Sequence, residues 1–130
     1  MQVLVLSVFL VVTSMGYVFA EPITAQVSNQ EKIHFVDEQI MIIADISNNQ
    51  DVQQNFAYIT QVKNDRDIVI SLSWLTGSLS PRQMFSPAQS WIATEPGIYH
   101  IQVFVWESIT NPEALSPPLS LTVNVSEQKF

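Results

Sequence analysis

The chain has 130 residues, no cysteine and a formal net charge of −7, from 12 acidic and 5 basic residues. This length fits one ordinary domain, and the lack of cysteine excludes a disulfide framework and a thiolate metal site. The negative charge repels phosphate backbones and anionic lipids, which argues against nucleic-acid or membrane-surface binding.

The N-terminal residues 1–20 form an uncharged, mostly apolar stretch that ends in Val18-Phe19-Ala20. Small residues at the last and third-last positions are typical of a signal-peptidase site. We therefore expect a signal peptide over 1–20, cleaved after Ala20, and a secreted or cell-surface domain over 21–130. The alternative is an uncleaved membrane anchor, since no Lys or Arg precedes the apolar core and about 20 apolar residues span a bilayer.

Beyond the N-terminal stretch, short runs rich in Ile, Val, Phe, Tyr and Trp are separated by polar turn clusters. This spacing is typical of an all-β sandwich, and no segment keeps helical periodicity long enough for a helix. We predict seven or eight antiparallel strands, the first of them broken, at 24–28 with 32–36, 39–47, 55–63, 68–75, 84–93, 98–106 and 119–125. Pro87 within 84–93 indicates an edge or a bulge.

Alternation of apolar and polar residues predicts which face of each strand meets the core. In the strand at 68–75 we expect the apolar row inward, with Ser71 and Ser73 outward. The predicted inward rows are Ile40, Ile42, Ala44 and Ile46; Phe56, Tyr58, Thr60 and Val62; Ile68, Ile70, Leu72 and Trp74; Tyr99, Ile101, Val103 and Val105; and Leu119, Leu121, Val123 and Val125.

The most informative segment is Pro96-Gly97-Ile98-Tyr99, at the entry to the strand at 98–106. A Pro-Gly turn that leads into an inward-facing Tyr is the sequence pattern of the tyrosine corner found in sandwich domains. We expect the Tyr99 ring in the core and its hydroxyl bonded to backbone near the preceding connection. Gly97 and Tyr99 are therefore predicted to define the fold.

Around this segment the chain resembles the small immunoglobulin-like modules of secreted bacterial and archaeal proteins, including fibronectin type III and adhesion-type domains. The chain is similar to archaeal surface proteins in particular, at Ser-Leu-Ser-Trp (71–74), Pro-Gly-x-Tyr (96–99), Val-Phe-Val-Trp-Glu-Ser (103–108) and Asn-Pro-Glu-Ala-Leu-Ser-Pro (111–117). The resemblance covers roughly 39–125 and implies an immunoglobulin-like sandwich. It implies no catalytic residue, because such modules act as spacers, adhesins and assembly units.

Few residues in the sequence suggest a catalytic site, a metal site or a modification site. His34 and His100 lie on predicted strands without a second metal ligand at suitable spacing, so we expect both at the surface. The acidic turn residues Asp51, Asp65 and Asp67 match no calcium-loop signature and are expected to be solvated. We predict no cofactor, no metal and no enzymatic activity. Asn124-Val125-Ser126 is a glycosylation sequon, which makes Asn124 a possible site.

One predicted face of the sheet carries large apolar side chains that a soluble domain does not need at its surface. With Tyr99 inward, Phe104 and Trp106 point outward, beside Ala57, Ile59, Gln61 and Lys63 of the strand expected next to theirs. An apolar strip of this kind marks a contact unless the Pro-rich loop at 107–118 covers it. We therefore predict an interaction face at Ile59, Gln61, Phe104 and Trp106.

The leading hypothesis for function is a non-enzymatic protein-interaction or structural module of the cell envelope, with self-association possible. One alternative is a carbohydrate-binding module that stacks sugars on Trp91 or Trp106. The other is a proteinase-inhibitor-like sandwich that presents the loop at 78–83 or at 109–116. The partner would be a protein or a glycan.

Overall fold

The computed structural model describes residues 21–27 and 33–127, so the predicted signal peptide lies outside the described residues. In these ranges the chain forms strands and no helix, and no helix could therefore cross a membrane. The strands are β1 (Ile23–Val27), β2 (His34–Phe35), β3 (Gln39–Asn48), β4 (Gln54–Lys63), β5 (Val69–Leu79), β6 (Met84–Phe85), β7 (Ala88–Ile92), β8 (Gly97–Trp106) and β9 (Leu119–Ser126).

The strands form two sheets, which confirms the predicted all-β sandwich. The larger sheet has the order β2-β9-β8-β4-β5, with every pairing antiparallel except the short parallel pair β2–β9. In the smaller sheet β3 pairs antiparallel with β1 on one side and with β6 and β7 on the other. Pro87 lies between β6 and β7, as expected for a proline that cannot donate to a sheet ladder.

The core lies between the sheets and is built from the alternating rows of β3, β4, β8 and β9. The predicted inward rows of β3, β4 and β8 are all buried, and in β9 Val123 and Val125 are buried whereas Leu119 and Leu121 are partly buried. Burying such side chains stabilises the fold by about 1.5–3 kcal/mol each. The sequence pattern therefore assigned these faces correctly.

The faces of β5 were predicted wrongly. Leu72 and Trp74 are exposed, whereas Leu75 packs against the core and Leu79 is fully buried. The odd-numbered row that includes Ser71 and Ser73 therefore faces inward. Alternation gives the period of a strand but not its phase, and β5 places its larger apolar side chains on the outside.

At the start of β8 the structure confirms the tyrosine corner. The Tyr99 ring is buried, and its hydroxyl donates a hydrogen bond of 2.5 Å to the carbonyl oxygen of Glu95. Gly97 has a φ of 152°, a backbone conformation that residues with a Cβ rarely adopt. The turn and the ring together fix where the chain enters β8.

Replacing Tyr99 with phenylalanine is expected to lower the free energy of unfolding by about 1 kcal/mol, because it removes this hydrogen bond and keeps the ring. The matched control is Tyr58→Phe, since the Tyr58 hydroxyl is buried and, although Thr60 lies beside it, forms no hydrogen bond of good geometry among the described residues. Urea denaturation should show a loss for Tyr99→Phe and none for Tyr58→Phe. Equal losses would contradict the role of the hydroxyl.

Candidate functional site

The outer face of the five-stranded sheet carries a groove with a volume of about 410 Å³. We call its lining the contact face. It consists of Ile59, Gln61, Leu72, Trp74, Phe104, Trp106 and Ile109. None of these side chains is charged, although the whole chain carries a net charge of −7. All four residues predicted for the interaction face are therefore brought together by the fold.

Strand register explains why these side chains meet. Ile59 on β4, which lies between β5 and β8, is opposite Trp74 of β5 and opposite Phe104 of β8. Two residues further along β4 and on the same face, Gln61 lies opposite Leu72. Side chains directly opposite each other in an antiparallel pair have Cβ atoms about 4.5–5.5 Å apart. Three neighbouring strands thus contribute one continuous row of large side chains across the sheet.

Solvent exposure across the contact face is uneven. Trp74 is 55% exposed and Leu72 is 54% exposed, while Phe104 and Trp106 are half-buried with ring centroids 5.8 Å apart. Ala57 and Ile59, which the sequence placed in solvent, are instead buried. They do lie on the outer side of β4, but the larger side chains of β5 and β8 shield them. The floor of the groove is therefore buried, and its most exposed side chains are those of β5.

The Pro-rich loop at 107–118 does not fold over the contact face. The Leu115 amide donates to the Val105 carbonyl oxygen at 2.8 Å, and Ala114 forms a β-bridge with Trp106. The Glu107 amide donates to the Glu113 carbonyl oxygen at 2.9 Å. These bonds hold the loop alongside the end of β8, as a continuation of the sheet. Its contribution to the groove is Ile109 at the rim.

Leu72 and Trp74 were not predicted as members of this site, because the phase of β5 depends on an irregularity in its pairing. Near the turn at 64–67, Lys63 lies opposite Val69, a pair whose numbers sum to an even value. A bulge between Val62 and Lys63 changes this to odd-sum pairs such as Ile59 with Trp74, which places even-numbered residues of β5 beside the outward Ile59. Alternation along β5 does not reveal this bulge.

The structure also places the residues suggested for the two alternatives, a carbohydrate-binding module and a proteinase inhibitor. Trp91 is 9% exposed and packs edge-on against the Tyr99 ring at a centroid distance of 4.7 Å, so it is a core residue and cannot stack a sugar. The loops suggested for an inhibitor are held to the domain. Arg82 contacts Asp51 with an Nε–Oδ1 distance of 2.9 Å, and Leu115 and Ser116 are buried.

Titratable residues lie apart from the contact face. His34 is buried, so its predicted surface position is wrong, whereas His100 is exposed and its Nδ1 lies 3.4 Å from the Thr122 Oγ1. The Arg82 guanidinium beside Asp51 lowers the pKa of that carboxyl. Within 21–27 and 33–127 no three His, Asp or Glu residues converge in a way that could hold a metal ion. Asn124 is exposed on β9.

Comparisons with known proteins identify the fold. No family model and no curated protein matches the chain. Among solved structures, the CARDB domain of a Pyrococcus furiosus protein, determined in complex with di-metal ions, has a TM-score of 0.63 and 14% identity over 82% of this chain and 94% of that one. A Listeria innocua beta-glucosidase in complex with glucose has a TM-score of 0.62 and 12% identity over 79% of this chain.

The match to the glucosidase covers only 16% of its length, and a match to a Bacteroides uniformis beta-glucuronidase, with a TM-score of 0.61 and 5% identity, covers 79% of this chain and 13% of that enzyme. The chain thus corresponds to one β-sandwich part of these enzymes. At these identities the likeness shows the fold alone. The chain has an immunoglobulin-like β-sandwich fold.

Proposed function

We propose that this protein is a non-enzymatic immunoglobulin-like module that binds a protein partner through the contact face. The observation that carries the proposal is a groove of about 410 Å³ on the outer face of the larger sheet, with a buried aliphatic floor and an aromatic rim. Exposed apolar patches bounded by polar surface mark interaction sites, and tryptophan is enriched among residues that dominate binding energy.

The chemistry of the lining favours an apolar partner over a sugar. Gln61 is the one polar side chain that lines the groove. Sugar recognition needs several hydrogen-bonding groups beside the aromatic platform, and a buried sugar hydroxyl without a partner would oppose binding. A protein segment that presents Leu, Ile, Val or aromatic side chains fits this lining, and only the Gln61 amide and the indole N–H groups would need partners from its backbone.

Export to the cell envelope belongs to the same proposal. It is supported by the apolar stretch at 1–20 and its Val18-Phe19-Ala20 ending. An exported module that presents an uncharged groove can hold a neighbouring envelope protein. Asn124 is exposed on β9, so a glycan there would be accommodated at the surface of the domain.

Trp106→Ala is expected to weaken capture of a partner by about 2 kcal/mol, because truncating a central aromatic residue of an interface costs this much or more. The bait is the chain that begins at Glu21, since every described strand of both sheets begins at Ile23 or later. Proteins captured from an envelope extract are quantified by mass spectrometry for the original chain, for Trp106→Ala and for the control Ile92→Ala on the other sheet.

A protein whose capture falls with Trp106→Ala and is unchanged with Ile92→Ala supports the contact face. Capture that is the same with all three baits contradicts it. Titration with a soluble β-glucan, followed by tryptophan fluorescence, covers the carbohydrate alternative. A saturable change that Trp106→Ala abolishes would replace the protein partner by a glycan.

A further inference from the structure

The free edge of β5 is unlike the other sheet edges of this domain. β5 ends the larger sheet and runs for 11 residues, whereas the other outer strands, β1, β2, β6 and β7, have 5, 2, 2 and 5 residues. Among the described strands β5 pairs with β4 alone, so the main-chain groups on its other side have no strand partner. An edge of this length is a template for another extended strand.

Natural proteins protect such edges with charge, proline or a very short strand. The sequence of β5 is Val-Ile-Ser-Leu-Ser-Trp-Leu-Thr-Gly-Ser-Leu, which contains no charged residue and no proline. From Ser71 to Leu79 the pairing with β4 is continuous, because the bulge lies before Ser71. Nine residues of β5 are therefore regular strand without any of the usual protection.

Charge distribution indicates what can approach this edge. The segment 64–83, which comprises β5 and its two flanking turns, contains two acidic and two basic residues, namely Asp65, Arg66, Asp67 and Arg82. Its net charge is zero, so the whole charge of −7 lies on the rest of the chain. The ion pairs Lys63–Asp67 and Arg82–Asp51 lie at the two ends of the strand. A second copy is repelled by most of the surface but not here.

We propose that a second copy of this chain pairs along β5, antiparallel and about a two-fold axis, so that two five-stranded sheets become one continuous sheet. Isologous contacts of this kind are the commonest way in which identical chains associate. This inference rests on the proposed function, because Leu72 and Trp74 belong both to β5 and to the contact face. The pairing joins the two contact faces into a single apolar surface across the two-fold axis.

The edge offers both main-chain groups and apolar side chains to a second copy. Its 11 strand residues span about 37 Å. The outer side of β5 contributes Leu72 and Trp74, each more than half exposed, and Ile68, Val69 and Ile70 are exposed at its start. Main-chain hydrogen bonds set the register, while these side chains supply the buried apolar area.

Sedimentation of the chain that begins at Glu21 tests the pairing. We expect a concentration-dependent dimer and, for Leu72→Lys, a dissociation constant at least about tenfold higher, because a lysine on an edge strand opposes pairing and each copy would bring its ammonium group to the apolar interface. The matched control is Ile92→Lys on β7, since Ile92 is 53% exposed and Leu72 is 54% exposed. This control should dimerise like the original chain, and urea denaturation should show that both variants fold.

Hydrogen exchange separates edge pairing from stacking of two contact faces. In the dimer, backbone amides within β5 should exchange more slowly at high than at low protein concentration. A dimer without slower exchange in β5 overturns edge pairing, as does an equal effect of Leu72→Lys and Ile92→Lys. A chain that stays monomeric up to about 1 mM also overturns it.

The experiments distinguish failure of the β5 pairing from failure of the proposed function. If the chain is monomeric but Trp106→Ala still reduces capture of another protein, the contact face stands and the second copy is excluded. If the chain dimerises along β5 but Trp106→Ala leaves capture unchanged, the pairing stands and the contact face is contradicted as a partner site.

Discussion

Asn48→Asp is expected to lower the free energy of unfolding by about 2–4 kcal/mol, although the two side chains have almost the same shape. Asn48 ends β3 and is only 2% exposed. Its Nδ2 donates to the carbonyl oxygens of Val52 at 2.8 Å and Ser80 at 3.0 Å. Aspartate cannot donate these bonds when ionised, and its charge would face the same carbonyl oxygens.

The position of Asn48 explains why this loss is large. Its Nδ2 also lies 3.4 Å from the Leu79 carbonyl oxygen, and its Oδ1 accepts a hydrogen bond of 3.1 Å from the Gln50 amide. One side chain therefore ties the end of β3 in the smaller sheet to the end of β5 in the larger sheet. Loss of these bonds leaves buried carbonyl groups without donors, which costs more than the bonds themselves contribute.

Urea denaturation at neutral pH measures this effect, with Asn124→Asp as the control because it makes the same change at an exposed position. The destabilisation should shrink as the pH falls, because a protonated carboxyl can donate one hydrogen bond again and carries no charge. An Asn48→Asp variant as stable as the original chain, or one whose loss is the same at every pH, would contradict this account.

Trp91→Ala is expected to lower the free energy of unfolding by about 3–5 kcal/mol, the usual range for removing a large aromatic side chain from a core. The Trp91 ring packs against Tyr99, so the cavity would open beside the tyrosine corner. Trp74→Ala is the matched control. Trp74 is more than half exposed on the outer face, so its truncation should cost much less than that of Trp91.

Urea denaturation of both tryptophan variants gives the comparison. A large loss for Trp91→Ala and a much smaller one for Trp74→Ala agrees with one ring in the core and one on the outer face. If Trp74→Ala were the more damaging change, the observed phase of β5 would be incorrect, and with it the contact face.

Much of the fold could be predicted from the sequence, because apolar alternation in β3, β4 and β8 coincides with burial between the sheets. Ile40, Ile46, Tyr58 and Ile101 are all buried as that pattern requires. The turn before Tyr99 added the one feature specific to a sandwich crossover. These predictions depend on local patterns, which a single strand carries within itself.

The contact face was only half predictable, because it depends on pairing between strands. Phe104 and Trp106 could be placed outward from the position of Tyr99 on the same strand. Leu72 and Trp74 could not be placed by their own alternation, since the apolar row of β5 faces solvent. The buried position of His34 was missed for a related reason: β2 is a two-residue strand whose parallel pairing with β9 leaves no periodic signal.

The neutral edge of β5 has a consequence during folding, before any partner is involved. A segment with high β-propensity and no charge or proline is prone to aggregate whenever it is unpaired. Pairing with β4 across a short turn is local, so it forms early and protects one side of the segment. In the proposed pairing, the other side stays open until a second copy binds. Dimer formation and aggregation therefore compete for the same strand. Slow dilution from denaturant should favour the dimer.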